Sequence, residues 1–158
     1  MNRSDRITCA FTMEDLPAPP AVVFPALCPV REAEWIPGWS AEMLWSRSGV
    51  AEDGALFRTP GSTGEPWIWQ IVQHQADPGR IRFAIVAPGS HATDLSLQLD
   101  PQGDGSRLRW TYTLHALTPS SAAFLKDYEA AFPARMALLD RRLRHWLATG
   151  TMLPEDAA

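Results

Sequence analysis

The residues with the strongest claim on chemistry are aromatic. Trp110 and Tyr112 alternate with Arg109, Thr111 and Thr113, so both rings point to one side of an extended segment. Tyr128, Phe132 and Met136 recur at intervals of four, which places them on one face of a helix. Trp67 and Trp69 share one face of a third segment, opposite Ile68, Gln70, Val72 and His74. Rings gathered in this way either pack as core or wall a pocket for an apolar or aromatic molecule, and in both cases they are buried. The sequence holds seven Trp. Each buried indole N–H needs an acceptor, so some of these rings are better placed lining a space than filling a solid core.

The polar candidates are fewer. A hairpin across Asp77-Pro78-Gly79 that pairs His74 with Ile81 turns Gln70 and His74 toward the apolar face, where they orient a ligand; a slip of one residue reverses this. Glu32 and Glu34 lie beside Trp35 in a short helical segment. A carboxyl group near an apolar pocket has a raised pKa and serves as a general acid or base. Residues two apart do not share a helix face, however, so these two form no dyad. Both read as surface acids within reach of Arg31. The candidate ligand-binding set is therefore Trp35, Trp69, Gln70, His74, Trp110, Tyr112, Tyr128, Phe132 and Met136.

Other chemistries find no support in the sequence. His74, His91, His115 and His145 are scattered, and no convergent set of zinc ligands is apparent. His91 and Asp94, three apart in a strand, point to opposite faces. Ser48 and Ser90 lack a nucleophile-elbow context. The Gly61–Gly64 turn lacks the lysine and following helix of a phosphate loop. No catalytic residue, metal ligand or cofactor is assigned.

The elements that must position these residues follow from periodicity. Ile7, Cys9, Phe11 and Met13 alternate as a first strand. Two short helical pieces follow, from Pro20 to Leu27 and from Pro29 to before Pro37. Extended segments then run over 43–47, 55–59, 67–74, 81–86, 91–99 and 108–114, separated by Gly- and Pro-containing turns. Loops this short favour antiparallel pairing. Ile81, Phe83 and Ile85, then Leu95, Leu97 and Leu99, then Leu108, Trp110, Tyr112 and Leu114 form one apolar face that needs a covering layer. That cover is a helix from Pro119 to Thr149, with Thr118 as its N-cap and Gly150 at its end. Leu125, Tyr128, Phe132, Met136, Leu139, Leu143 and Trp146 form its apolar stripe, and Pro133 predicts a kink or a break.

Composition bounds the rest. A chain of 158 residues is one-domain length and buries roughly 70% of its unfolded surface, so positions 1–158 read as one α+β domain with a mobile tail about 151–158. The net charge of −4 argues against nucleic acid as a partner. Arg135, Arg141, Arg142 and Arg144 read as a solvated helix face that suits the helix dipole. Cys9 and Cys28 read as reduced, buried thiols. The start of the chain shows no apolar run of signal-peptide length, and no stretch approaches the roughly 20 apolar residues of a membrane span. The expectation is a cytoplasmic protein without a membrane partner.

The order of strand, two short helices, six strands and one long helix resembles the START-related helix-grip (SRPBCC) superfamily. The segment Leu27–Trp39 (LCPVREAEWIPGW) is similar to the second short helix and turn of its polyketide cyclase/dehydrase-like bacterial branch. Ser48–Thr59 (SGVAEDGALFRT) is similar to the next hairpin of that branch. The resemblance implies a curved seven-stranded antiparallel sheet wrapped around the C-terminal helix, with a cavity between them. It names no reaction, because the superfamily spans carriers, receptors, cyclases and co-chaperones.

Three functions compete. The first is a carrier, sensor or sequestering module for a small apolar or aromatic molecule. The second is a cyclase, dehydratase or hydrolase working with one or two pocket acid–base groups, for which a buried Glu34, Gln70 or His74 beside Trp110 is the marker. The third is a protein-interaction module with a filled core. The edge strand near Met43–Trp45 offers a surface for pairing into a homodimer.

Overall fold

The computed structural model describes residues 5–62 and 64–157. Thr63, in the Gly61–Gly64 turn, and position 158 of the expected mobile tail lie outside the described residues. Alternating segments become seven strands: β1 (Arg6–Leu16), β2 (Glu42–Trp45), β3 (Leu56–Thr59), β4 (Trp67–Gln75), β5 (Gly79–Ala87), β6 (His91–Gln102) and β7 (Gly105–Ala116). They form one antiparallel sheet in the order β1-β7-β6-β5-β4-β3-β2. Helix α1 (Pro20–Ala26) and a 3-10 turn (Arg31–Glu34) follow β1, and helix α2 (Ser121–Thr149) follows β7. Register shifts within β1, β2 and β4 bend their strands, and the sheet curves.

The alternation places the expected apolar face inward. Ile81, Phe83, Ile85, Leu95, Leu97, Leu99, Leu108, Trp110 and Leu114 are buried, as are Cys9 and Met13 on β1. Helix α2 supplies Leu125, Phe132, Met136 and Leu143 to the same core. Its main contacts are with β1 and β7, at one end of the sheet. A single helix about 10 Å wide cannot cover seven curved strands, so the inner faces of β3 to β6 are left to other groups.

Several local expectations shift. Helix α2 begins at Ser121 rather than Pro119; Thr118 Oγ1 lies 2.6 Å from Ser121 Oγ, and the N-cap Ser120 makes no side-chain capping bond. The helix runs unbroken through Pro133, whose ring removes one backbone bond while buried Phe132 and Met136 on either side hold the helix to the sheet. Gly150 ends it at φ 71°, its N–H donating to Trp146 O at 2.7 Å. Arg144 is not simply solvated. Its Nη1 donates to Asp15 O at 2.9 Å, its Nη2 donates to Glu14 O and its Nε donates to Asp140 Oδ1 at 2.9 Å. This fastens the late part of α2 to the irregular end of β1.

The second short helix shrinks to a 3-10 turn. With three residues per turn, Glu32 and Trp35 fall on one side and Glu34 on another. Trp35 is 0% exposed, and its indole N–H donates to Ala26 O at 2.9 Å. That anchor holds the turn against the core and fixes which way Glu32 faces.

Candidate functional site

A cavity of about 310 Å³ lies where α2 fails to cover the sheet. One wall comes from β3 to β6, and the other from the 29–39 segment, β7 and α2.

On the first wall the aromatic rings support one another. Trp69 stacks on Phe57 at 5.2 Å between ring centres, and Trp39 and Phe83 each meet it edge-on at 5.8 Å. The polar ends of these indoles are satisfied: Trp69 Nε1 donates to Thr59 Oγ1 at 3.0 Å and Trp39 Nε1 to Pro29 O at 2.7 Å. His91 belongs to the same side. Its ring stacks on Phe124 at 4.6 Å and meets the edge of Trp67 at 5.0 Å, and its Nδ1 lies 3.0 Å from Ser90 Oγ. Burial lowers its pKa, so the ring is neutral at physiological pH.

The second wall is different. Trp110 and Tyr112 stack in parallel at 6.5 Å, and Tyr112 meets Tyr128 at 6.3 Å. The Arg135 guanidinium lies 4.1 Å from the Tyr128 ring centre and 5.8 Å from that of Tyr112, and it donates to the Tyr128 hydroxyl. Glu32 is only 9% exposed, and its carboxyl makes no hydrogen bond among the described residues. Burial pushes its pKa up to about 8, so it is protonated at neutral pH. Burial also raises the Tyr112 hydroxyl, with a smaller contribution from nearby Tyr128, while Arg135 opposes both. Trp110 Nε1 and Arg142 Nε are buried with no hydrogen-bond partner among the described residues. Leaving such a donor unpaired costs about 1–3 kcal/mol.

The sequence candidates divide accordingly. Trp69, Trp110, Tyr112, Tyr128 and Met136 line the cavity. Phe132 is core, packed edge-on against Tyr112 at 5.5 Å. Trp35 is fully enclosed behind the 3-10 turn and does not reach the space. Gln70 points outward and is exposed. The hairpin does pair His74 with Ile81, but β4 shifts register between Ile71 and Gln73, so Gln70 sits opposite Ala84 on the outer face. His74 does turn inward, yet it packs against Phe24 at 4.9 Å, away from the cavity. Glu34 is on the surface and pairs with Arg31 at 3.1 Å.

Residues outside that candidate set also line the space. Glu32, Trp39, Trp67, His91, Arg135 and Arg142 all do. Glu32 is a correction, since it reads from sequence as a surface acid; its position three residues before an inward Trp35 was the available signal. Tyr128, Arg135 and Arg142 are seven residues apart, nearly two full helical turns, so they share one side of α2. That spacing was legible too. Among the described residues no group of three metal-binding side chains converges.

Over residues 8–144 the sequence matches the profile of the family described as polyketide cyclase / dehydrase and lipid transport. None of the curated proteins compared matches the chain. Among solved structures, norcoclaurine synthase from Thalictrum flavum is similar at a TM-score of 0.67 and 11% identity, over 91% of this chain and 87% of that one. One structure of that enzyme is a complex with dopamine and hydroxybenzaldehyde. A protein from Rhodobacter sphaeroides is 21% identical with a TM-score of 0.62, over 93% of this chain and 94% of that one. DynU16, from the dynemicin biosynthetic locus, is 20% identical with a TM-score of 0.56 over 93% of this chain. The chain spans about half the length of DynU16, 48%. At these identities the structures share the helix-grip fold and nothing finer.

Proposed function

The chain belongs to the polyketide cyclase/dehydrase and lipid transport family, and we propose that its cavity binds a small aromatic molecule, as a carrier, sensor or sequestering protein. The observation that carries this reading is the space of about 310 Å³ walled by Trp39, Trp67, Trp69, Trp110, Tyr112 and Tyr128. A dry cavity of about 150 Å³ accepts one benzene, so this one suits a body of about two fused rings. The norcoclaurine synthase complex with two aromatic molecules supports the same ligand class for this fold. A protein-interaction module predicts a filled core; a cavity stands there instead.

Thermal shift and intrinsic fluorescence against fatty acids, flavonoids, sterols and aromatic polyketides test the proposal. A ligand specific for the folded state, at 100 times its Kd, adds roughly 2.7 kcal/mol of stability. The expected hit is aromatic, saturable and lost in folded W69A or Y128A. No saturable hit in any of these classes contradicts the reading.

Glu32 favours a second reading, acid–base catalysis of a cyclisation or dehydration within the same cavity. A carboxyl group with a pKa of about 8 both gives and takes a proton near neutral pH. Turnover that is abolished in E32Q and has a pH profile breaking near 8 supports it; turnover unchanged in E32Q excludes it. Pairing of the edge strand β2, where Trp45 is 51% exposed, into a homodimer is proposed as well, and sedimentation of the free protein decides it. A cytoplasmic location is proposed on the two free cysteines. No helix among the described residues is long and apolar enough to cross a membrane.

A further inference from the structure

The second wall of the cavity carries more hydrogen-bond donors and positive charge than the protein itself satisfies. Arg135 and Arg142 both line the space, and neither has a carboxylate within ion-pair distance among the described residues. Their neighbour on α2, Arg144, is by contrast paired with Asp140. Among the described residues the enclosed Nε–H of Arg142 has no acceptor, and Trp110, 3% exposed, likewise leaves its indole N–H unpaired. An arginine side chain and an indole ring can only donate, so the enclosed Arg142 Nε–H and Trp110 N–H each call for an acceptor oxygen, while Arg135, exposed and already donating to the Tyr128 hydroxyl, adds positive charge to the lining. The one acidic residue lining the cavity, Glu32, is protonated at neutral pH, so it does not balance the two cations.

We infer that the ligand carries an oxyanion, such as a carboxylate or an ionised phenol or enol, held against α2 by Arg135 and Arg142 while its aromatic body lies among the tryptophans. The inference rests on the ligand-binding reading above and narrows it to acidic aromatic molecules. A cationic amine of the same shape is disfavoured, because it meets two guanidinium groups and a neutral carboxyl.

Three probes of nearly equal shape separate the possibilities at neutral pH and moderate salt: 2-naphthoate, 2-naphthamide and (2-naphthyl)methylammonium, each titrated against the tryptophan fluorescence of the full chain. The expected order is naphthoate tightest, by about tenfold over the amide, with the ammonium weakest. In R135M and R142M, each confirmed folded by circular dichroism, the naphthoate-to-naphthamide ratio falls by about threefold or more; a role in packing alone lowers both affinities and leaves the ratio unchanged. Equal binding of naphthoate and naphthamide by the native protein, or a preference for the ammonium, overturns the inference while leaving an aromatic pocket in place. A naphthoate preference that persists in both variants also overturns it, because the anion is then held elsewhere. If none of the three binds, the inference fails, and the wider ligand panel decides the pocket reading separately.

Discussion

The two walls of the cavity are built from similar residues and solved differently. On the β3–β6 side, Trp69 gives its N–H to Thr59 and stacks on Phe57 beside Phe83, and Trp39, facing it edge-on from the 29–39 segment, gives its own N–H to Pro29 O. On the β7–α2 side, among the described residues, Trp110 leaves its N–H without a partner, Arg142 leaves its Nε–H, and Glu32 is buried with no hydrogen bond. A side chain serving only the core is expected to have its polar atoms satisfied. The first wall therefore reads as a scaffold that shapes an apolar slot. The second is the wall that the proposed ligand would complete.

Substitutions sharpen this contrast. The largest effect is expected at Trp35, which belongs to neither wall and is packed on all sides. W35A should lose about 3–5 kcal/mol in urea denaturation. W69A should lose measurably less, because one face of that ring already borders empty space. Equal losses would mean that the cavity is closed in solution.

Next in size is the pH dependence set by Glu32. In the folded protein it keeps its proton up to about pH 8, whereas the unfolded chain releases it near pH 4.5. Between those values the folded state binds more protons, so stability falls as pH rises through the window. E32Q should remove this slope and be more stable than the native protein by up to roughly 3 kcal/mol at pH 7. The two should converge below about pH 4.5. A native protein whose stability is flat across the window would place Glu32 in water.

Smaller and opposite effects are expected from W69F and W110F. The first deletes a satisfied N–H and strands the Thr59 hydroxyl, costing about 1 kcal/mol. The second deletes an unpaired donor, and should be neutral or stabilising without ligand while weakening an acidic aromatic ligand. Denaturation and titration of the same two variants check both signs. The smallest effect belongs to Gln70: exposed on the outer face, Q70A should shift stability by less than about 0.5 kcal/mol and leave ligand affinity unchanged.

The sheet and its cover were legible because they rest on periodicity. Ile81-Phe83-Ile85 and Leu95-Leu97-Leu99 alternate without interruption, and the stripe from Leu125 to Trp146 keeps helical spacing across Pro133. The site was legible only where it reuses those patterns, as at Trp110, Tyr112, Tyr128 and Met136. Gln70 was misplaced by one register shift in β4, a feature that leaves no mark in the alternation of Trp67, Trp69 and Ile71. Glu32 was misread because an acid in a short helical segment is ordinarily solvated, and only the tighter pitch of the 3-10 turn brings it under Trp35. Arg135 is exposed, as a basic helix face predicts, and also borders the cavity; Arg142 is half-buried, and that is not legible because which edge of a helix meets a cavity depends on how far the sheet curves.

The most direct measurement is the response of the seven tryptophan indole resonances in a ¹⁵N–¹H correlation spectrum as 2-naphthoate is added. The expected result is saturable movement of the Trp110 and Trp69 Nε1–H signals with a common Kd, while that of Trp35, tied to Ala26 O behind the 3-10 turn, stays in place. Movement confined to the exposed Trp45 on β2, or no movement at any indole with naphthoate, naphthamide or the ammonium probe, would contradict a ligand-binding cavity between the sheet and α2.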